Sequence, residues 1–119
     1  MSAFSVVLVT VPDIKTAQNL SLNLVERKLA ACVNMISNIS SVYRWKDKIE
    51  QSQECLLLIK TKSTLVPDLG EFVKQNHPYS TPEIISLPIQ DGLESYLDWL
   101  GANTLFTKMV SPTPLKETS

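Results

Sequence analysis

Residues 49–61 read IEQSQECLLLIKT. On an extended strand, successive side chains point to opposite faces, so Cys55, Leu57 and Ile59 lie on one side and Leu56 and Leu58 on the other. Both faces of this strand are apolar. A sheet with one wet face alternates apolar and polar residues instead. VVLV (6–9) and AACV (30–33) repeat the two-faced pattern, so the sheet needs cover on both sides.

Upstream, SVVLVTV (5–11) is rich in β-branched residues and ends at Pro12, as a first strand should. Asp13 is placed to cap a helix in which Ala17, Leu20, Leu24, Val25 and Leu29 recur at helical spacing, with Glu26 and Arg27 left to solvent. LAACVNMI (29–36) returns to strand character, and residues 37–41 soften it before SVYRW (41–45). KDK (46–48) then turns the chain near Asp47, predicting an antiparallel hairpin of strands two and three.

Downstream, Ser63 or Thr64 caps a second helix whose first turn accepts Pro67. Leu65, Leu69, Phe72 and Val73 form its inner face, and Gly70 costs it about 1 kcal/mol relative to alanine. NHPYSTPE (76–83) cannot continue that helix, because residues before proline are pushed towards extended backbone. IISLPI (84–89) makes the fourth strand. Leu93, Tyr96, Leu97 and Leu100 mark a short last helix stopped by Gly101, and SPTPLKETS (111–119) has the composition of a flexible tail.

The order strand, helix, strand, strand, helix, strand is that of an α+β ferredoxin-like sandwich with both helices on one face. The simplest cover for the other face is another copy of the chain; the last helix covering part of it is the alternative. The 119 residues, 44% apolar, suit one domain. Eleven basic against twelve acidic residues give no footprint for nucleic acid or an anionic membrane. Met1–Val11 lacks the basic start and long apolar run of a signal or membrane segment, so a cytoplasmic location is expected. Two cysteines, Cys32 and Cys55, are too few for a disulfide scaffold and are expected to be reduced.

ERKLAACVN (26–34), SVYRWKDKIE (41–50), LLLIKT (56–61), HPYSTPEI (77–84), LPI (87–89) and YLDWL (96–100) together resemble the CutA family of divalent-cation tolerance proteins. STLVPDL (63–69) looks more like its animal members. The resemblance implies a CutA-like domain over residues 1–103, a tail over 104–119, and a compact homotrimer whose long hairpins reach onto neighbouring subunits. It further implies divalent metal binding, copper above all, with no required cofactor and no established catalysis. A trimeric scaffold is the alternative, as in the acetylcholinesterase anchoring linked to animal members. So is a small-molecule sensor like the PII trimers, whose nucleotide-binding residues have no match here. KDK replaces the family's commoner Lys-Gly-Lys at the hairpin turn, where aspartate tolerates left-handed backbone.

His77, the single histidine, offers an imidazole nitrogen suited to Cu²⁺ or Zn²⁺, with Glu83 near in sequence. The alternative is that His77 caps the carbonyls ending the second helix. The resemblance carries the family's cysteine onto Cys32, a soft ligand; a thiol inside an apolar strand is otherwise an inert small hydrophobe. Tyr43, Trp45 and Tyr79, with charges from Glu50 and Lys60, make either a pocket beside His77 or an interface. Cys32, His77 and Glu83 imitate a nucleophile, base and orienter, but nothing near Cys32 supplies an oxyanion hole.

Overall fold

The computed structural model describes residues 2–106. Four strands and three α-helices follow the order β1 (Phe4–Val11), α1 (Ile14–Glu26), β2 (Cys32–Trp45), β3 (Lys48–Lys62), α2 (Val66–Gln75), β4 (Ile84–Pro88) and α3 (Glu94–Ala102). The sheet is antiparallel throughout, ordered β2-β3-β1-β4. This is the ferredoxin-like α+β arrangement that the sequence predicts.

The core lies where the alternation places it. Val7, Val9, Val11, Cys55, Leu57 and Ile59 are buried against Leu20 and Leu24 of α1 and Leu69, Phe72 and Val73 of α2. Burying one such aliphatic side chain contributes about 1.5–3 kcal/mol. Both helices therefore cover one face. On the other face, Leu8 stands in register with Leu58 and Ile85, and Leu56 with Ile36. Ile85 and Leu87 are half exposed.

α3 covers only one end of this second face. Its Gly101 lies against the Phe4 ring, 3.5 Å from where a β-carbon would sit, and Leu100 is fully buried. Gly101 does not stop the helix, which runs on to Ala102. A β-carbon there would meet the ring at ordinary van der Waals distance, so the contact does not require glycine. Thr104 and Leu105, assigned to the tail by sequence, are tied to the domain. The Thr104 hydroxyl donates to the Leu100 carbonyl, and the Leu105 N–H to the carbonyl of Lys28. The remaining tail, including Pro112–Ser119, lies outside the described residues.

Local chemistry accounts for the element ends. Asp13 caps α1, its carboxylate accepting from the Thr16 N–H at 2.8 Å. At the other end Lys28 takes φ 59°, its N–H meets the Val25 carbonyl, and the Leu29 N–H meets Leu24. That is a Schellman cap with lysine where glycine usually stands. Helical spacing also misleads in two places. Val25 is 40% exposed, whereas the Arg27 guanidinium lies over the Phe72 ring at 4.8 Å rather than in solvent.

The soft stretch 37–41 does not interrupt β2. A bulge between Ile36 and Ile39, with Asn38 at φ 59°, absorbs it while the pairing with β3 continues. Lys46 and Asp47 both adopt positive φ between the paired residues Trp45 and Lys48, giving a two-residue hairpin turn. Neither Ser63 nor Thr64 caps α2 through its side chain. A 3₁₀ turn over Ser63–Leu65 leads into it, with Pro67 in the first turn.

Candidate functional site

The loop after α2 is held by its histidine. The Tyr79 N–H donates to Nδ1 of His77 at 3.0 Å, so Nε2 carries the proton and donates to the Thr10 carbonyl at 2.7 Å. Thr10 lies at the end of β1, so the imidazole fastens the loop to the central strand. His77 is not the cap of α2. Asn76 fills that role, its side-chain amide donating to the Phe72 carbonyl at 2.8 Å.

Tyr79 extends the network. Its ring lies 4.8 Å from that of His77, and its hydroxyl donates to Oε2 of Glu54 at 2.8 Å. Burial, reinforced by the Glu54 carboxylate, pushes the phenol up to about 12. Glu54 is only 8% exposed, and sequence reading missed it. The polar run QSQE offers no sign that its last member turns inward.

The remaining candidates fall elsewhere. Cys32 is half-buried on β2, opposite Lys60 of β3, whose ammonium lies 3.8 Å from Sγ. Tyr96 of α3 reaches the same thiol, and burial followed by this contact raises its phenol. Glu83 is exposed ahead of β4. Tyr43 pairs with Glu50 and Trp45 with Lys48 on the projecting hairpin, where Tyr43 and Trp45 are largely exposed.

No three His, Cys, Asp or Glu side chains gather to hold a metal ion among the described residues of one chain. The nucleophile, base and orienter set is likewise not assembled. His77 is engaged by Thr10 and Tyr79, and Cys32 by Lys60.

A cleft of about 470 Å³ does open beside His77, but on the helical side. Lys15, Thr16 and Asn19 of α1 form one wall, Gln75 and Asn76 the other, with Leu20 beneath and His77 and Pro78 at the end. Tyr43, Trp45, Glu50, Lys60 and Tyr79 do not line it. The helical spacing that reveals the inner face of α1 says nothing about which outer residues meet the end of α2.

An antiparallel β2-β3-β1-β4 sheet with two helices on one face defines a ferredoxin-like domain, here extended by a long hairpin and a third helix. Residues 5–103 match the CutA1 divalent ion tolerance protein family, and the chain belongs to it.

The chain is 50% identical over 99 residues to the divalent-cation tolerance protein CutA of Thermus thermophilus, covering 83% of this chain and 96% of that one. It is 49% identical over 96 residues to mouse protein CutA, covering 81% of this chain and 54% of that one. Bacterial and animal relatives are thus matched equally well, and the chain spans about half the length of the mouse protein. Among solved structures, CutA1 from Oryza sativa superposes with a TM-score of 0.87 at 43% identity, covering 89% of this chain and 97% of that one. The Thermus thermophilus protein gives 0.83 at 48% identity, covering 85% and 98%. No helix among the described residues is long and apolar enough to cross a membrane.

Proposed function

We propose that this chain is a non-enzymatic, cytoplasmic CutA protein that works as a homotrimer and binds divalent cations, Cu²⁺ foremost, weakly and between subunits. The observation that carries the assembly is the second sheet face. Leu8, Leu58, Ile85 and Leu87 form an apolar surface that α3 leaves open, and water contact there is costly at about 25 cal/mol per Å².

The metal reading follows from the separation of the ligands. Because His77, Cys32 and Glu83 form no cluster in one chain, a site using them draws its ligands from more than one copy. Coordination by Nδ1 of His77 displaces the Tyr79 N–H, which keeps the affinity low. Ligands must be deprotonated, so binding weakens as the solution becomes acidic.

Native mass spectrometry during copper titration of wild type, Cys32→Ala and His77→Ala tests both parts. The expected result is a mass three times 13.3 kDa in all three, with copper binding about tenfold weaker in each variant. A single-chain mass for wild type overturns the assembly. Unchanged copper binding in His77→Ala favours the second reading, a trimeric scaffold or small-molecule sensor in which His77 is a structural tie between loop and strand. The two ring hydrogen bonds are what support that alternative.

A further inference from the structure

The cleft beside His77 has a one-sided chemistry. Asn19 Oδ1 is occupied, accepting from the Asn23 side chain at 3.3 Å, so this amide has its N–H₂ left to offer. The Lys15 ammonium brings three donors and the Gln75 amide two, while the Thr16 hydroxyl is already given to the Asp13 carboxylate. No acidic side chain is among the described residues lining it. The imidazole at its end is spent on Thr10 and Tyr79 and acts as a rigid wall. Leu20, fully buried, provides an apolar floor. The volume falls within the range of about 300–1,000 Å³ typical of small-molecule sites.

The first half of α1 forms one wall through its flank, its N-terminus being closed by the Asp13 cap on the Thr16 N–H. The Asp13 carboxylate caps this helix beside the cleft. It is held below its ordinary value by the Thr16 N–H and hydroxyl, with Lys15 helping against a small desolvation effect. Asp13 nearby also opposes a second anion, which weakens binding.

The geometry points to a binding site for a small organic carboxylate in the cleft between α1 and the end of α2, its oxygens taken by Lys15, Asn19 and Gln75. The site is independent of the metal reading, since none of these three residues is a metal candidate. The ligand would bear on the loop that His77 fastens to β1.

Amide-resolved NMR titration of the full chain tests this, with sodium succinate as probe, succinamide as neutral control and sodium chloride holding ionic strength constant. Saturable shifts centred on Thr16, Asn19 and Gln75 are expected with succinate and not with succinamide. Lys15→Arg should retain binding and Lys15→Glu should weaken it about tenfold or more. Both variants should keep the wild-type native mass and copper titration, which separates failure of this site from failure of the proposed function. Lys15 is exposed, so its replacement leaves the core alone. Shifts that never saturate, or equal succinate affinity in Lys15→Glu and wild type, would overturn the proposal.

Discussion

The hydroxyl of Tyr79 donates to Oε2 of Glu54 at 2.8 Å, joining the loop after α2 to a β3 carboxylate that is 8% exposed. A buried carboxylate left short of a donor is expensive, whereas the phenol itself is more than a third exposed and contributes little apolar burial.

Tyr79→Phe should therefore destabilise the fold by about 1–3 kcal/mol, through Glu54 rather than through lost packing. Urea unfolding of Tyr79→Phe, alone and combined with Glu54→Gln, measures this. The loss should shrink in the double variant, and an unchanged midpoint in the single one would sink the assignment.

Alkaline stability carries the same signature. The Tyr79 phenol is raised from the ordinary 10.0 to about 12 in the folded chain, so the folded state keeps its proton longer than the unfolded state. Its contribution is full below pH 10 and is lost as pH climbs towards 12. Unfolding midpoints of wild type and Tyr79→Phe should converge across that window; a constant gap would speak against the linkage.

Lys28 holds φ 59° at the end of α1, a conformation that costs an L-residue about 1–2 kcal/mol and glycine almost nothing. The greater freedom of glycine in the unfolded chain offsets part of this, leaving a net gain of about 0.5–1 kcal/mol for Lys28→Gly. Thermal unfolding should show the gain for Lys28→Gly and none for Lys28→Ala. A similar rise in both would trace the effect to charge instead of backbone.

Leu58 stands between Leu8 and Asn34 on the open face of the sheet. A carboxylate there keeps partial contact with water in a lone chain and is badly placed beneath another copy. Light scattering of Leu58→Glu at micromolar concentration should give a mass near that of one chain, against three for wild type. Equal masses would remove this face from the assembly.

Much of this architecture was readable from alternation alone. Cys55, Leu57 and Ile59 are core, and Leu56 and Leu58 are on the opposite face, as the strand period dictates. What escaped depends on contacts distant in sequence or on backbone that side-chain patterns do not encode. His77 meets Thr10 across 67 positions and Tyr79 meets Glu54 across 25. The Arg27 guanidinium looked like a solvent group because no local pattern announces Phe72 above it. Asn38 and Lys28 take left-handed backbone without the glycine that would have advertised it.

The candidate site was half legible. The loop's chemistry-bearing residues stood out by type, but its histidine proves to be tied to a strand carbonyl and its cleft is walled by α1. No hydrophobic period marks Lys15, Thr16 and Asn19 as neighbours of Gln75.

The central position of β1 also bears on how the sheet is assembled. Its partners run from Cys55 to Lys62 on one side and from Ile84 to Pro88 on the other, so β1 pairs only once residues far along the chain are available. Until then its VVLV segment is an adhesive edge, exposed to any other extended chain. The β2–β3 hairpin closes through a two-residue turn and can form on the microsecond scale, while the pairing of β1 must wait for a far larger loop to close. Refolding yield should consequently fall with chain concentration even though each step is chemically simple, and the early hairpin is the natural template on which β1 is rescued.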